Sequence, residues 1–324
     1  MPRRARSGSK AVALEALVYG HRARSSSYMI TINKLVVFGV GLIGGSFALA
    51  LRQAHAVKMI AGVGRNTKNL DDALRLGIID EASTDASLAV QNADFIFLAT
   101  PVGQIENLLK QIAPHLSANV VITDGGSTKQ DVVAYARNAL GDQFSRFVPG
   151  HPIAGTEKSG AAAADATLYQ NRKVILTPEL ETDRAAIESV SGAWSTCLAE
   201  VHLMRASEHD ALCAAISHLP HLLAFALVDW IANKPNHDAL FKFAAGGFRD
   251  FTRIASSSPE MWRDICLANR AALLEQLGDY RNELEKLQDC LQRADAAQLE
   301  RLFSRARTTR DDWLARTTSA TGVE

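Results

Sequence analysis

The chain has 324 residues, enough for two domains, and 47% of them are hydrophobic against 22% charged, the proportions of a globular protein. Its 35 Lys and Arg balance its 35 Asp and Glu, so no net charge points to nucleic acid as a partner. The four cysteines, Cys197, Cys213, Cys266 and Cys290, form no C-x-x-C pair, which argues against a structural zinc or a disulfide scaffold and fits a reducing, cytoplasmic setting.

Residues 1–28 stand apart, with six Arg and Lys against one Glu and serines at both ends. Glu15 interrupts their only apolar stretch and no small-residue cleavage site follows, so a targeting peptide is disfavoured. Met29 directly precedes the first strand, and the segment before it reads as a disordered or upstream extension. From there to residue 205 strand and helix alternate. "KLVVFG" leads through glycines into the helical "SFALALRQAHA", and "KMIAGVG" is followed by "NLDDALRLG". "ADFIFLATP" precedes "VGQIENLLKQIA", and "NVVITDGGS" precedes "TKQDVVAYARNAL". "RFVPGHPIAG" and "RKVILTP" read as two further strands. Parallel β-α-β units of this kind predict an α/β, Rossmann-type doubly wound parallel sheet as a dinucleotide-binding domain over 29–205.

Residues 206–318 carry no strand signal and predict an all-helical domain, with 319–324 as a tail. It opens at "SEHDALCAAISHLPHLLAFALVDWIA", where Ser207 is an N-cap candidate and Pro220 a kink. No apolar run here reaches membrane-spanning length, because Asp229 breaks the longest, and no membrane partner is expected. "RNELEKLQDCLQRADAAQLERLFSRARTTRDDWLA" reads as terminal helix, and its leucines suit packing within the domain or homodimerisation through it.

Gly39, Gly41 and Gly44 match G-x-G-x-x-G between a strand and a helix. The three supply a tight turn, room for a pyrophosphate and close helix–strand packing. The helix that opens at Leu42 and Ile43 offers free N–H groups to phosphates. At the end of the second strand, where an acid would hold the ribose of NAD, the chain has Gly64, followed by Arg65 and Asn66. Nothing there repels a 2′-phosphate and Arg65 would bind one, so NADP is favoured and NAD stays open.

Ligands in such sheets bind beyond the carboxyl ends of the strands, here "LATPVG" with Thr100 and Pro101, "TDGGSTK" and "GHPIAGTEKSG". His151 in the third is placed to face the nicotinamide and to take a hydroxyl proton as hydride departs; the plainer reading is a turn histidine bonded to backbone. His218 and His221 share a helix face at i, i+3, a spacing that suits a metal, but nearby acids and cysteines complete no ligand set, so none is expected. "GGFRDFTRIASSSPEMWRDI" gathers Arg249, Asp250, Arg253 and Trp262. These make either a surface ion pair or a wall that binds carboxylates with guanidinium forks.

Together, "VVFGVGLIGGS", "TDGGSTK", "GHPIAGTEKSG", "SHLPH" and "GGFRDFTRIASSSPEMWRDI" resemble the prephenate dehydrogenases, including the arogenate and cyclohexadienyl dehydrogenases, in order from Ile30 to Arg316. The resemblance implies oxidative decarboxylation of a cyclohexadienol in tyrosine biosynthesis: hydride leaves C4 for NAD(P), carbon dioxide leaves C1, and the ring becomes aromatic. It places His151 as catalytic histidine and Ser127 as the serine that bonds the same hydroxyl. Arg253 falls on the arginine that binds a substrate carboxylate. His221, Thr156 and, less closely, His218 fall on pocket positions, with Asp250 and Trp262 shaping the pocket, from a partner subunit in one arrangement. With no chorismate mutase segment before the dinucleotide domain and no regulatory domain after the helices, the expectation is a monofunctional enzyme. Two rivals remain. One is a two-domain β-hydroxyacid or imino-acid reductase, which would place a lysine in the helical domain; the other is a non-catalytic NADP-binding regulator, which would need no His151, Ser127 and Arg253 together.

Overall fold

The computed structural model describes residues 30–155 and 158–321, with side chains as far as Arg316. Residues 1–28 and Thr156 lie outside the described residues. Six strands form a parallel sheet: β1 (Ile32–Phe38), β2 (Val57–Val63), β3 (Glu81–Ser83), β4 (Phe95–Leu98), β5 (Val121–Asp124) and β6 (Phe147–Val148). Their order is β3-β2-β1-β4-β5-β6, so the chain first builds outward from β1 and then crosses to its other side. The crevice beyond β1 and β4 is the switch point at which such sheets take their ligands.

Both faces of this sheet are covered, which is why its strands read as unbroken apolar runs. On one face Phe47 of helix α1 (Leu42–Gln53) packs 4.6 Å, centroid to centroid, from both Phe97 and Trp194, and Tyr169 stands edge-on to Trp194. Phe47, Phe97, Tyr169 and Trp194 are wholly buried. On the other face Val36, Ile96 and Ile122 meet Ile105 and Leu109 of helix α4 (Val102–Ile112) and Val132 of helix α5 (Gln130–Leu140). Helix α2 (Thr67–Arg75) and the single turn α3 (Ala86–Ala89) flank β2 and β3.

"RFVPGHPIAG" is not one strand. β6 ends at Val148, and β7 (Gly150–Pro152) belongs to a second sheet, antiparallel to β8 (Lys173–Leu176), which in turn pairs in parallel with β9 (Glu200–Leu203). Pro149 between them has no N–H for either ladder, and its carbonyl accepts from Thr177 N–H at 2.9 Å. The chain therefore turns out of one sheet into the other just before His151. The sequence reading also passed over β3, β9 and the helix α6 (Arg184–Thr196), whose Trp194 fills the core.

Helix α7 (Ala206–Cys213), a π-helical turn (Ala214–His218) and α8 (Leu219–Ala232) follow without a break. Ser207 is not the N-cap: the helix begins one residue earlier, and Glu208 accepts from the Arg205 backbone N–H at 3.2 Å. The expected kink at Pro220 is taken up by the wider π turn before it, which leaves the proline in the first turn of α8, where it needs no N–H partner. Ala206–Ala232 is also long and apolar enough to cross a membrane by length and composition alone, because Asp210 and Asp229 bracket an uncharged stretch; the shorter run judged from the sequence stopped at Pro220. Helices α9 (His237–Lys242), α10 (Gly246–Thr252) and α11 (Pro259–Ala268) complete a compact unit that ends at Arg270. The remaining unit, from Ala271, holds nearly all of α12 (Arg270–Gln292) and the whole of α13 (Ala296–Thr321). The single helix expected there is broken at Ala294, with a φ of 50°, and α13 continues into the residues read as a tail. Up to Arg270, helices α7 to α11 belong to the same compact unit as the parallel sheet.

Candidate active site

A cleft of about 1040 Å³ opens beyond β1, β2 and β4, lined among others by Gly39, Gly41, Arg65, Asn66, Thr100 and Pro101. Gly39 has a φ of +86°, and a Cβ there would lie 2.6 Å from the Ala99 carbonyl oxygen. A Cβ on Gly44 would meet the Gly39 oxygen at 2.3 Å and Val37 at 2.7 Å, whereas one on Gly41 would point into open space. Turn, packing and vacant approach are thus divided among the three as a pyrophosphate-binding turn requires. Leu42 and Ile43 form the first turn of α1 behind the cleft, where backbone N–H groups have no partner within the helix, and Tyr169 Oη donates to the Ile43 carbonyl at 2.6 Å to hold that turn. The buried Thr100 Oγ1 has no partner among the described residues, a further sign of a site built for a polar ligand. Asn66 caps α2, its Oδ1 accepting from Asn69 N–H at 3.1 Å, while Arg65 stands exposed beside it. These residues fit a dinucleotide.

Ser127, in the loop after β5, and His151, on β7, stand on two segments that one buried ion pair ties together. The Lys129 ammonium bonds the Asp124 carboxylate and donates to the Gly150 carbonyl at 2.7 Å, and all of Lys129 and Asp124 is buried. Asp124 also accepts from the N–H groups of Gly126 at 2.8 Å and Gly150 at 3.0 Å, so its charge is met on every side. Ser127 is half-buried between these anchors.

From His151 a chain of bonds runs inward. Its Nδ1 lies 2.8 Å from His209 Nε2, and His209 Nδ1 lies 2.8 Å from Asp210 Oδ1. Asp210 accepts as well from the backbone N–H groups of Lys129 at 2.8 Å and Gln130 at 2.9 Å. Burial alone would raise the Asp210 carboxyl, but the bonds from His209 and from these amides hold it below the ordinary range. Burial pushes His209 down, against the pull of Asp210, and pushes His151 well down with help from His209, Lys129 and His218. Both imidazoles are therefore neutral near pH 7. The carboxylate can only accept, so His209 carries its proton on Nδ1 and its Nε2 accepts. His151 must then donate from Nδ1, which leaves the lone pair on its Nε2 free. Cys213 Sγ sits beside this chain, 3.4 Å from His209 Nε2, its thiol pushed up to about 12 chiefly by burial.

His218 is buried and lies 3.1 Å from Asn269 Nδ2, which also donates to the Asp210 carbonyl at 2.7 Å; burial takes His218 down to about 4. His221 donates from Nδ1 to the Ser217 carbonyl at 2.9 Å and stacks on the Trp262 ring, 3.7 Å between centroids at 18°. Trp262 thus meets its own chain's histidine, where the sequence reading allowed for a partner's pocket, and its buried Nε1 has no acceptor among the described residues. Burial lowers His221, and the Arg253 guanidinium adds to the effect. Arg253 itself is exposed, as are Arg249 and Asp250, and none of the three takes an ion-pair partner among the described residues, which removes the surface ion pair as their explanation.

Sequence reasoning missed Asp124, Lys129, His209 and Asp210. The last two stand in "SEHDALC" as an ordinary polar helix start, and only the fold brings them behind His151.

A family model described as "Prephenate dehydrogenase, nucleotide-binding domain" matches residues 47–203, and one described as "Prephenate dehydrogenase, dimerization domain" matches residues 205–305. The prephenate dehydrogenase of Bacillus subtilis is 41% identical over 279 residues, which cover 86% of this chain and 75% of that protein. The cyclohexadienyl dehydrogenase of Zymomonas mobilis is 33% identical over 284 residues, 87% of this chain and 96% of that protein. Among solved structures, prephenate dehydrogenase from A. aeolicus, in complex with hydroxyphenyl propionate and NAD+, matches with a TM-score of 0.82 at 37% identity, covering 87% of this chain and 99% of that one.

Proposed function

This chain belongs to the prephenate dehydrogenase family, and we propose that His151 is the base of its reaction. That reaction is the NAD(P)-dependent oxidative decarboxylation of prephenate, arogenate or both, in tyrosine biosynthesis. The observation that carries the assignment is the Asp210–His209–His151 chain, which fixes a tautomer with an accepting Nε2. When bound in the cleft, the dinucleotide supplies the hydride acceptor. His151 Nε2 accepts the proton of the C4 hydroxyl, and Ser127 orients that hydroxyl. Arg253 receives a substrate carboxylate, and the unpartnered Trp262 Nε1 beside His221 offers a further donor to the substrate's acceptor groups. Loss of carbon dioxide makes the ring aromatic, so the protein's contribution is orientation and one proton acceptor. His209 and Asp210 are positioning residues, since they act through His151.

Arg65 at the cleft wall, with no acid after β2, supports NADP over NAD. Thr156, Asp250 and His218 remain proposed pocket positions. The enzyme is taken to be soluble and cytoplasmic and to work as a homodimer: α8 and its surroundings expose Ile216, Trp230 and Phe243, at 69%, 59% and 81%, an apolar surface that a second copy would cover. The deciding experiment follows reduced nicotinamide by absorbance with prephenate and arogenate, each crossed with NAD and NADP. Turnover with at least one pair is expected, fastest with NADP, and Arg65→Ala should then shift preference toward NAD. Silence with all four pairs would overturn the reading.

A further inference from the structure

Three donor atoms converge behind the His151 ring. His151 Nδ1 and His209 Nε2 are 2.8 Å apart, and Cys213 Sγ lies 3.4 Å from His209 Nε2 and 3.9 Å from His151 Nδ1. The convergence has a simple origin: His209 and Cys213 sit four residues apart on one face of α7, and β7 delivers His151 opposite them. A point equidistant from the three atoms is about 2.0 Å from each, the length of a Zn–N bond, and a shift out of their plane and slightly away from sulfur gives the ~2.3 Å of Zn–S while the nitrogen distances stay near ~2.0 Å. His209 is already oriented as a ligand, for its Nδ1–H is held by Asp210, itself fixed by two backbone N–H groups, and its Nε2 lone pair points into the cluster. That carboxylate–histidine pairing is the outer support found behind metal-bound imidazoles.

We propose that His151, His209 and Cys213 form a binding site for a thiophilic divalent cation of the Zn2+ class, and that its occupancy switches the enzyme off. The inhibitory half rests on the reading of His151 as the base. No electrons are transferred. The Cys213 thiol loses its proton to solvent and its thiolate binds the ion. His209 binds through the lone pair it already has. The proton on His151 Nδ1 passes by solvent to Nε2 of the same ring, freeing Nδ1 for the ion. His151 then shows the substrate an N–H donor where catalysis needs an acceptor. Three protein ligands leave a fourth position for water.

The test uses the full chain and two probes. Cobalt(II) titrated into metal-free protein should give one equivalent of a thiolate-to-cobalt charge-transfer band that zinc(II) displaces. Cys213→Ala and Cys213→Ser should each abolish the band. Both variants should keep their turnover in metal-free buffer, while the inhibition constant for zinc(II) rises at least about tenfold. A missing band, a band that survives in both variants because another cysteine makes it, or zinc inhibition unchanged in both would overturn the site. Because the cobalt band is read without substrate, it separates the two claims. A chain that binds cobalt through Cys213 but turns over neither acid leaves the site standing and removes the functional reading. A chain that turns over without the band does the reverse.

Discussion

The residue that decides most here is His151, and its surroundings make two statements about it. It is neutral at physiological pH, since burial first, and then His209, Lys129 and His218, hold it well below the usual imidazole range. It is also of fixed tautomer. A base must be unprotonated to act, so kcat/KM should be flat through neutrality and mild acid, then fall as pH drops through an apparent value well below 6.5. A pH–rate profile with its acid limb at or above 6.5 would contradict this. His151→Asn should lower kcat by about 10²- to 10⁴-fold while substrate binding persists. Asp210→Asn probes the support behind the ring. An amide cannot accept from His209 and from both backbone N–H groups as the carboxylate does, so His209 loses its enforced tautomer and His151 with it. A fall of at least about tenfold in kcat with KM little changed is expected from steady-state kinetics; a rise in KM alone would make Asp210 merely structural.

Among the elements, the glycine turn separates fold from function most cleanly. Gly44 faces backbone and a valine of β1 at contact distances no real Cβ tolerates, so Gly44→Ala should force α1 away from the sheet at a cost of about 1–3 kcal/mol, read as a lower urea midpoint. Gly41→Ala fills only open space in the cleft and should leave that midpoint unchanged while raising KM for the dinucleotide. Equal effects on both measurements would mean that the turn has no cofactor role. This turn was legible in the sequence because its spacing and its strand–helix context are local. So were the six parallel strands' longer members, whose apolar runs reflect burial on both faces. The second sheet was not, since its strands are three or four residues long and its first is separated from β6 only by Pro149. His151 and Ser127 were visible as odd residues at strand ends. His209, Asp210 and the Lys129–Asp124 pair were not, because their meaning comes from contacts that span 58 residues for His151 with His209 and 81 for Lys129 with Asp210.

For the whole molecule, the open question of chemistry becomes one of assembly. The helix from Ala206 to Ala232 carries His209 and Asp210 near its start and then runs on without a charge as far as Asp229, little of this stretch buried within one chain. A helix that is apolar nearly all round must be covered, by a membrane or by protein. Its exposed Ile216 and Trp230 are accompanied by Phe241, Phe243 and Phe251 from the helices that follow, and residues 205–305 match a domain model named for dimerisation. A second copy is the better cover, because the same helix bears the polar chain behind His151, which a bilayer would have to accommodate beside its hydrocarbon. Sedimentation equilibrium without detergent should therefore give twice the 35.0 kDa chain mass. Trp230→Asp, which sets a charge into this exposed apolar surface, should weaken the dimer by at least about tenfold in Kd. It lies well along the helix from His209, so turnover per chain should fall with dilution in the variant and not in the native protein, tying activity to assembly. A native protein that sediments as a monomer at micromolar concentration would break that tie and return the apolar helix to the question of what else covers it.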